Sequence, residues 1–214
     1  DCSKLFHAGA DKVVINTHAI QNNPEIINQA AEIFGNQSVV VNIEAKKIEN
    51  DWVCYTDCGR ISSEKRVLDW AKEVEQRGAG EILLQSVDAD GRQKGFDLEI
   101  SKKVVSLVDI PVVIASGAGS LQDIKDVIEV AQPSGVAIAS LLHYDKFNIA
   151  EIKQYLIDRG LSESTIKNFS LGYSNDSQNE FYKSASDKGY SDNFLEETGL
   201  VLSNADKKID RFRG

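Results

Sequence analysis

"EILLQSVDADGRQKGFD", residues 81–97, decides how the fold is read. Ile82 to Val87 is a run of strand formers that finishes in Asp88-Ala89-Asp90-Gly91. In parallel sheets and barrels, ligands bind at the C-terminal ends of the strands. Two carboxylates and a glycine at such a tip mark a candidate site. Of the two acids, Asp88 reads as the structural one.

Four further apolar runs extend the pattern: Val13–Ile15, Val39–Ile43, Val112–Ala115 and Val136–Ala139. They are near-continuous, which predicts parallel strands covered on both faces. Amphipathic helical stretches separate them. Asn23 reads as an N-cap with Pro24 at the first helical position and Gly35 as terminator. Ser63 caps "EKRVLDWAKEVEQR", Asp97 caps "LEISKKVVSLV", Ser120 caps "LQDIKDVIEVA", and Asn148 precedes "IAEIKQYLIDRG". The order is β-α five times over, the spacing of βαβ units. It fits either a doubly wound sheet or part of a (β/α)8 barrel. "ENDWVCYT" is expected to form a small hairpin with "VVVNIEAKK", leaving a long loop above the strand tips.

Composition narrows the classes. The chain has 214 residues, a net charge of -9 and no run near the ~20 apolar residues that cross a bilayer. That charge argues against nucleic acid as the main partner, and no membrane partner is expected. Cys2, Cys54 and Cys58 form no disulfide framework and no zinc spacing, so reduced thiols in a cytoplasmic protein are expected. His7, His18 and His143 show no ligand spacing, and neither a metal nor a cofactor is predicted. The sequence contains no Met and opens like the end of a helix, so its natural start is expected to lie upstream. Beyond residue 162 the chain is rich in Ser, Asn and Asp yet carries several aromatics. Short helices are expected there around 179–187 and 192–199.

The strand ends repeat one theme. The first ends in Asn16-Thr17, the third in Asp90-Gly91, the fourth in "IASGAGS", and the fifth in Ala139-Ser140. Small polar residues and glycines at successive tips suit a phosphate held by backbone N–H groups and hydroxyls. Glu44 follows the second strand. It reads either as a partner of Lys46 or Lys47, or as a general acid or base.

Together these blocks resemble the cyclase subunit of imidazole glycerol phosphate synthase. "AGADKVVINTHAIQNNPEII" is similar to that family's fourth strand and helix, and "VVVNIEAKK" to its fifth strand. "DWAKEVEQRGAGEILLQSVDADGRQKGFD" resembles the next helix and sixth strand, "PVVIASGAGSLQDI" the seventh strand and "GVAIASLLHY" the eighth. The resemblance covers residues 1–161; residues 162–214 have no counterpart in that family and form a C-terminal extension. It implies a partial (β/α)8 barrel, strands four to eight, that works with a glutaminase subunit. Ammonia from the partner would join a phosphorylated ribulosyl nucleotide, giving imidazole glycerol phosphate and an aminoimidazole carboxamide nucleotide. The resemblance puts Asn16 and Thr17 at one phosphate contact and Asp90 and Gly91 at the substrate. Gly117, Ala118, Ala139 and Ser140 fall at the second phosphate site. It puts Lys12 and Glu81 at the ammonia gate, Asp11 at the glutaminase interface and Glu44 at a catalytic carboxylate.

The departures are specific. The family's first-strand aspartate has no counterpart here, Glu44 replaces the fifth-strand aspartate, "SGAG" replaces "SGGAG", and Gln85 replaces a threonine. The chain by itself is therefore expected to be inactive as a cyclase. Two alternatives stand beside the histidine-pathway cyclase. One is a relative that delivers ammonia from a glutaminase for surface-sugar (lipopolysaccharide) amidine synthesis. The other is a non-catalytic truncated fragment.

Overall fold

The computed structural model describes residues 2–162, 183, 186–187, 189, 191–192, 195, 201–204 and 207–210. The chain divides into two compact units, Val14–Leu171, and Asp1–Val13 with Gly172–Gly214. Each is described by itself. The smaller unit contains α1 (Cys2–His7) and a two-stranded antiparallel ribbon, β8 (Val201–Asn204) with β9 (Lys207–Asp210). The short helices expected around 179–187 and 192–199 fall largely outside the described residues.

The larger unit is an open, mostly parallel α/β array, the arc of a (β/α)8 barrel. Its elements begin with β1 (Val13–Ile15), α2 (Thr17–Gln21), α3 (Glu25–Phe34) and β2 (Val39–Ile48). β3 (Asp51–Thr56), β4 (Ile61–Arg66), α4 (Val67–Gln76) and β5 (Glu81–Ser86) follow. α5 (Leu98–Val105), β6 (Val112–Ala115), α6 (Leu121–Ala131), β7 (Gly135–Val136), α7 (Ser140–His143) and α8 (Ile149–Asp158) complete it. The strand order is β4-β3-β2-β5-β6-β7, with β1 also pairing β2. β2, β5, β6 and β7 are mutually parallel.

One face of the sheet is closed by helices. Val41, Ile43, Ile82, Leu84, Val112 and Ile114 are almost fully buried, as are Ile27 of α3, Trp70 and Val74 of α4, Ile100 of α5 and Ile124 of α6. Burying one such aliphatic side chain contributes about 1.5–3 kcal/mol. The other face carries Asn42, Leu83, Gln85 and Val113, each half-buried. Burial along β5 therefore alternates strictly. That corrects the expectation of strands covered equally on both sides: an open arc leaves its concave face partly in solvent.

Three expected helix caps hold. Asp97 accepts from Ile100 N, and Ser120 and Asn148 each close a capping box, with Asp123 and Glu151. Asp97 also receives Trp52 Nε1 at 2.9 Å, tying β3 to the start of α5. Two caps are displaced. Ser63 caps nothing: its hydroxyl donates to the Cys54 carbonyl at 2.7 Å, within the β3–β4 ladder, and α4 starts only at Val67. Asn23 supplies only its carbonyl, to Ile26 N, and Pro24 stands at the cap. The fifth strand shortens to Gly135–Val136. Ala137 N still bonds Ile114 O at 2.8 Å, after which the chain turns into α7.

The hairpin expected after the second strand forms. β2 and β3 pair antiparallel from Glu44↔Tyr55 to Ile48↔Asp51. Their turn places Glu49 at φ +54°. β4 then adds the outer edge, with Ser62, Glu64, Lys65 and Arg66 and a register shift against β3. Charge and irregularity of this kind blunt an edge against pairing with another chain.

Candidate functional site

Two adjoining pockets lie at the C-terminal ends of the strands. The first, of about 280 Å³, is lined by Glu44, Cys58, Gly59, Gln85, Ser86, Val87, Asp90 and Ser116. The second, of about 220 Å³, lies between the tips of β5, β6 and β7. It brings together Asp90, Gly91, Gly117, Ala118, Ala139 and Ser140, six residues picked out from the sequence. Gln85, Asp90 and Ser116 belong to both pockets.

Glu44 is the buried charge of the site, 8% exposed. Both of its oxygens are engaged: Asn16 Nδ2 donates to Oε1 at 2.6 Å, and Gly59 N donates to Oε2 at 2.6 Å. Of the two readings of Glu44, pairing with Lys46 or Lys47 does not occur. Lys46 sits 4.8 Å over the Tyr55 ring, and Lys47 bonds Glu99 at 3.0 Å and covers Trp52. Strand alternation explains the position of Glu44, because it projects on the same face as Asn42, opposite Gln85 in the parallel register.

Gly59 comes from the β3–β4 tip, where Asp57, Cys58 and Gly59 have φ of +54°, +57° and +76°. Three left-handed residues in succession fold the tip back over the strand ends. A Cβ on Gly59 would come within 2.5 Å of Val87 Cγ1. The tip is also tied to α2: Asp57 N reaches Thr17 Oγ1 at 3.4 Å, and Gln21 Nε2 donates to Thr56 Oγ1 at 2.6 Å. The structure thus does not bring Asn16 and Thr17 to the glycine-lined pocket. It engages them with Glu44 and with the hairpin tip.

Asp88 accepts Lys47 N at 2.8 Å and is structural. Asp90 is exposed at the seam of the two pockets. Gly91 has φ +68°, and a Cβ there would meet no atom within 4 Å. Its glycine therefore serves the left-handed turn rather than close packing. Gly117 is constrained differently: Gly95 N donates to its carbonyl at 2.9 Å, and an added Cβ would lie 2.2 Å from Gly95 O. At the head of α6, Gly119 N and Ser120 N are both taken by Asp123 Oδ2. Those two N–H groups are therefore already spent on the cap of α6. Among the described residues, no side chain lining either pocket is cationic.

Lys12 belongs to the smaller unit and Glu81 to the larger, and each is already engaged. Glu81 opens β5, at the end opposite the pockets. Asp11 is exposed. Among the described residues, no cluster of three or more His, Cys, Asp or Glu is arranged to hold a metal. No helix among them is long and apolar enough to cross a membrane.

Sequence reading missed Cys58, Gly59 and Ser116 as pocket residues. The turn signal "TDCGR" was available for the first two; what it could not show is which strand tip the turn leans on. The thiols of the hairpin differ sharply. Burial pushes the Cys54 thiol up to about 12 and leaves it 1% exposed, whereas Cys58 is exposed. In the native protein near pH 8, an alkylating reagent is expected to label Cys58 and to spare Cys54 until unfolding. Peptide mass mapping reads this directly, and native labelling of Cys54 would contradict the packing of β3.

Strand-tip pockets on an arc of parallel strands, with helices covering the opposite face, define a protein of (β/α)-barrel class. Residues 1–148 match the family described as "Histidine biosynthesis protein", and the chain belongs to that family. An imidazole glycerol phosphate synthase subunit HisF of Prochlorococcus marinus (strain MIT 9515) is 48% identical over 160 residues, 73% of this chain and 62% of the relative. The protein of the same name from Dehalococcoides mccartyi (strain CBDB1) is 44% identical over 161 residues, 75% of this chain and 63% of the relative. The chain thus spans somewhat under two thirds of the length of these relatives. Residues 140–214 match a second description, "DNA primase catalytic core, N-terminal domain". That match overlaps the first at residues 140–148 and takes in α8 as well as the end of the chain.

Proposed function

We propose that residues 1–161 carry the strand-tip site of an imidazole glycerol phosphate synthase cyclase subunit and that residues 162–214 are an extension to it. The observation that carries the reading is the convergence of Gly117, Ala118, Ala139 and Ser140 with Asp90 and Gly91 in one pocket, beside the pocket that holds Glu44. A phosphate of the substrate sits against the glycine-lined tips. Asp90 takes hydrogen bonds from substrate hydroxyls, and Glu44 moves protons as ammonia adds and the ring closes. A glutaminase subunit is the proposed ammonia source, with Asp11 at the interface and Lys12 and Glu81 near the ammonia entrance. The ammonia-delivering relative is favoured by one observation, the Gln85 amide at the seam of the two pockets, where the cyclase family carries threonine.

The phosphate assignment is tested by Ser140→Asp. A carboxylate there repels an anion, so titration calorimetry with inorganic phosphate and with ribose 5-phosphate should show binding weakened at least tenfold. Unchanged affinity for both would sink the assignment.

A further inference from the structure

Gln85 stands where the two strand-tip pockets meet, and its orientation is set from below. On β5 it lies in register with Glu44 of β2. It makes no bond to that carboxylate, whose two oxygens are held by Asn16 and Gly59. Its side chain instead reaches one pair down the sheet, where Asn42 Nδ2 donates to Gln85 Oε1 at 2.7 Å. A primary amide whose oxygen is occupied presents its NH₂ group to whatever else approaches. Gln85 Nε2 has no protein partner among the described residues, so the seam of the pockets is offered a donor. Asn42 Oδ1 is buried without any hydrogen-bond partner, so Asn42 makes its one side-chain bond to Gln85. Buried amide oxygens are ordinarily satisfied. One left open, with the other half of the amide holding Gln85, marks a residue kept for position rather than for packing.

We infer that Asn42 is a positioning residue for Gln85, and that Gln85 sets ligand preference by donating N–H to an acceptor in the middle of a ligand that spans both pockets. The ligand class is a phosphorylated polyol: its phosphate lies at Gly117, Ala118 and Ser140, and a hydroxyl or carbonyl oxygen lies at Gln85. A bare phosphate reaches the first group and not the second. The inference rests on the phosphate reading of the glycine-lined pocket and adds the residue pair that recognises the remainder of the ligand.

The test compares inorganic phosphate with ribose 5-phosphate on the full chain by titration calorimetry. The unsubstituted protein should bind ribose 5-phosphate more tightly. Gln85→Leu removes the donor and should weaken ribose 5-phosphate about tenfold, the scale of one hydrogen bond, while leaving inorganic phosphate unchanged. Asn42→Leu should do the same without touching the ligand, and the double variant should lose no more than either single one. Asn42→Asp keeps the shape, removes the donor and turns the Gln85 oxygen towards the pocket; it should match Asn42→Leu and remains decisive if that variant does not fold. Additive losses, an Asn42 variant that weakens both ligands alike, or equal affinity of the unsubstituted protein for the two ligands would overturn the inference. Failure of the unsubstituted protein to bind either ligand would overturn the phosphate reading first, and the inference with it.

Discussion

Glu44→Leu is expected to destabilise the protein by about 2–5 kcal/mol and to loosen the β3–β4 tip. The carboxylate is buried and receives Asn16 Nδ2 and Gly59 N, both at 2.6 Å. Leucine fills much the same volume but accepts nothing. Asn16 and Gly59 are both half-buried, and each such donor that loses its acceptor costs up to roughly 1–3 kcal/mol. In a chain of this length 1 kcal/mol shifts the midpoint by roughly 2–4 °C, so thermal denaturation resolves the effect. Glu44→Gln separates structure from chemistry. The amide keeps one acceptor and sets an NH₂ against a donor, so stability should fall less than with leucine. The chain by itself is expected to be inactive as a cyclase, so proton transfer is read in a protein extended to the relatives' full length, where Glu44→Gln should lower ammonia-dependent cyclisation about 10²–10⁴-fold. Full turnover of that extended protein with glutamine at 44 would remove Glu44 from the chemistry and leave it as the anchor of the hairpin tip.

Gly117→Ala is expected to cost about 3 kcal/mol and to open the glycine-lined pocket. Two penalties act on one methyl group. Gly117 holds φ +113°, a backbone conformation that side chains rarely adopt. Its added Cβ would also lie 2.2 Å from the Gly95 carbonyl oxygen and 3.1 Å from Ala89 Cβ. Strain and overpacking each contribute roughly 1–3 kcal/mol. Moving Gly95 away would break its 2.9 Å bond to the Gly117 carbonyl, which joins the loops after β5 and β6. Gly91→Ala is the control. It shares the left-handed backbone, at φ +68°, but its Cβ would meet nothing within 4 Å, so only roughly 1–2 kcal/mol is expected. Urea midpoints of the two variants decide the matter. Equal losses would show that the close approach at Gly117 adds nothing beyond backbone strain.

The contrast between these two glycines shows how far local sequence reaches. Both stand in turns at strand tips, and both read as turn or site residues. That one needs glycine for its dihedral angle and the other also for a carbonyl 22 residues earlier is a fact of packing. Caps divide in the same way. Asp97, Ser120 and Asn148 each satisfy N–H groups within a few residues of themselves, so their roles follow from local spacing. Ser63 has the same chemistry and a helical pattern after it, yet the preceding strand β3 offers its segment a ladder, and hairpin pairing overrode the cap signal.

The five strands, the helices between them and the polar tips were legible because apolar runs, caps and turn residues act over short range. The gathering of Asp90, Gly91, Gly117, Ala118, Ala139 and Ser140 followed from parallel order alone, since successive βα units place their strand ends on the same side. The partners of Glu44 did not follow. Asn16 is 28 residues away and Gly59 is 15, and a three-residue left-handed tip aims the latter. The Asn42–Gln85 bond spans 43 residues and exists because the β2–β5 register sets these side chains diagonally on one face. Sequence determined which residues stand at the strand ends. Register and the folding back of the hairpin, both set by contacts far apart in the chain, decided which of them touch.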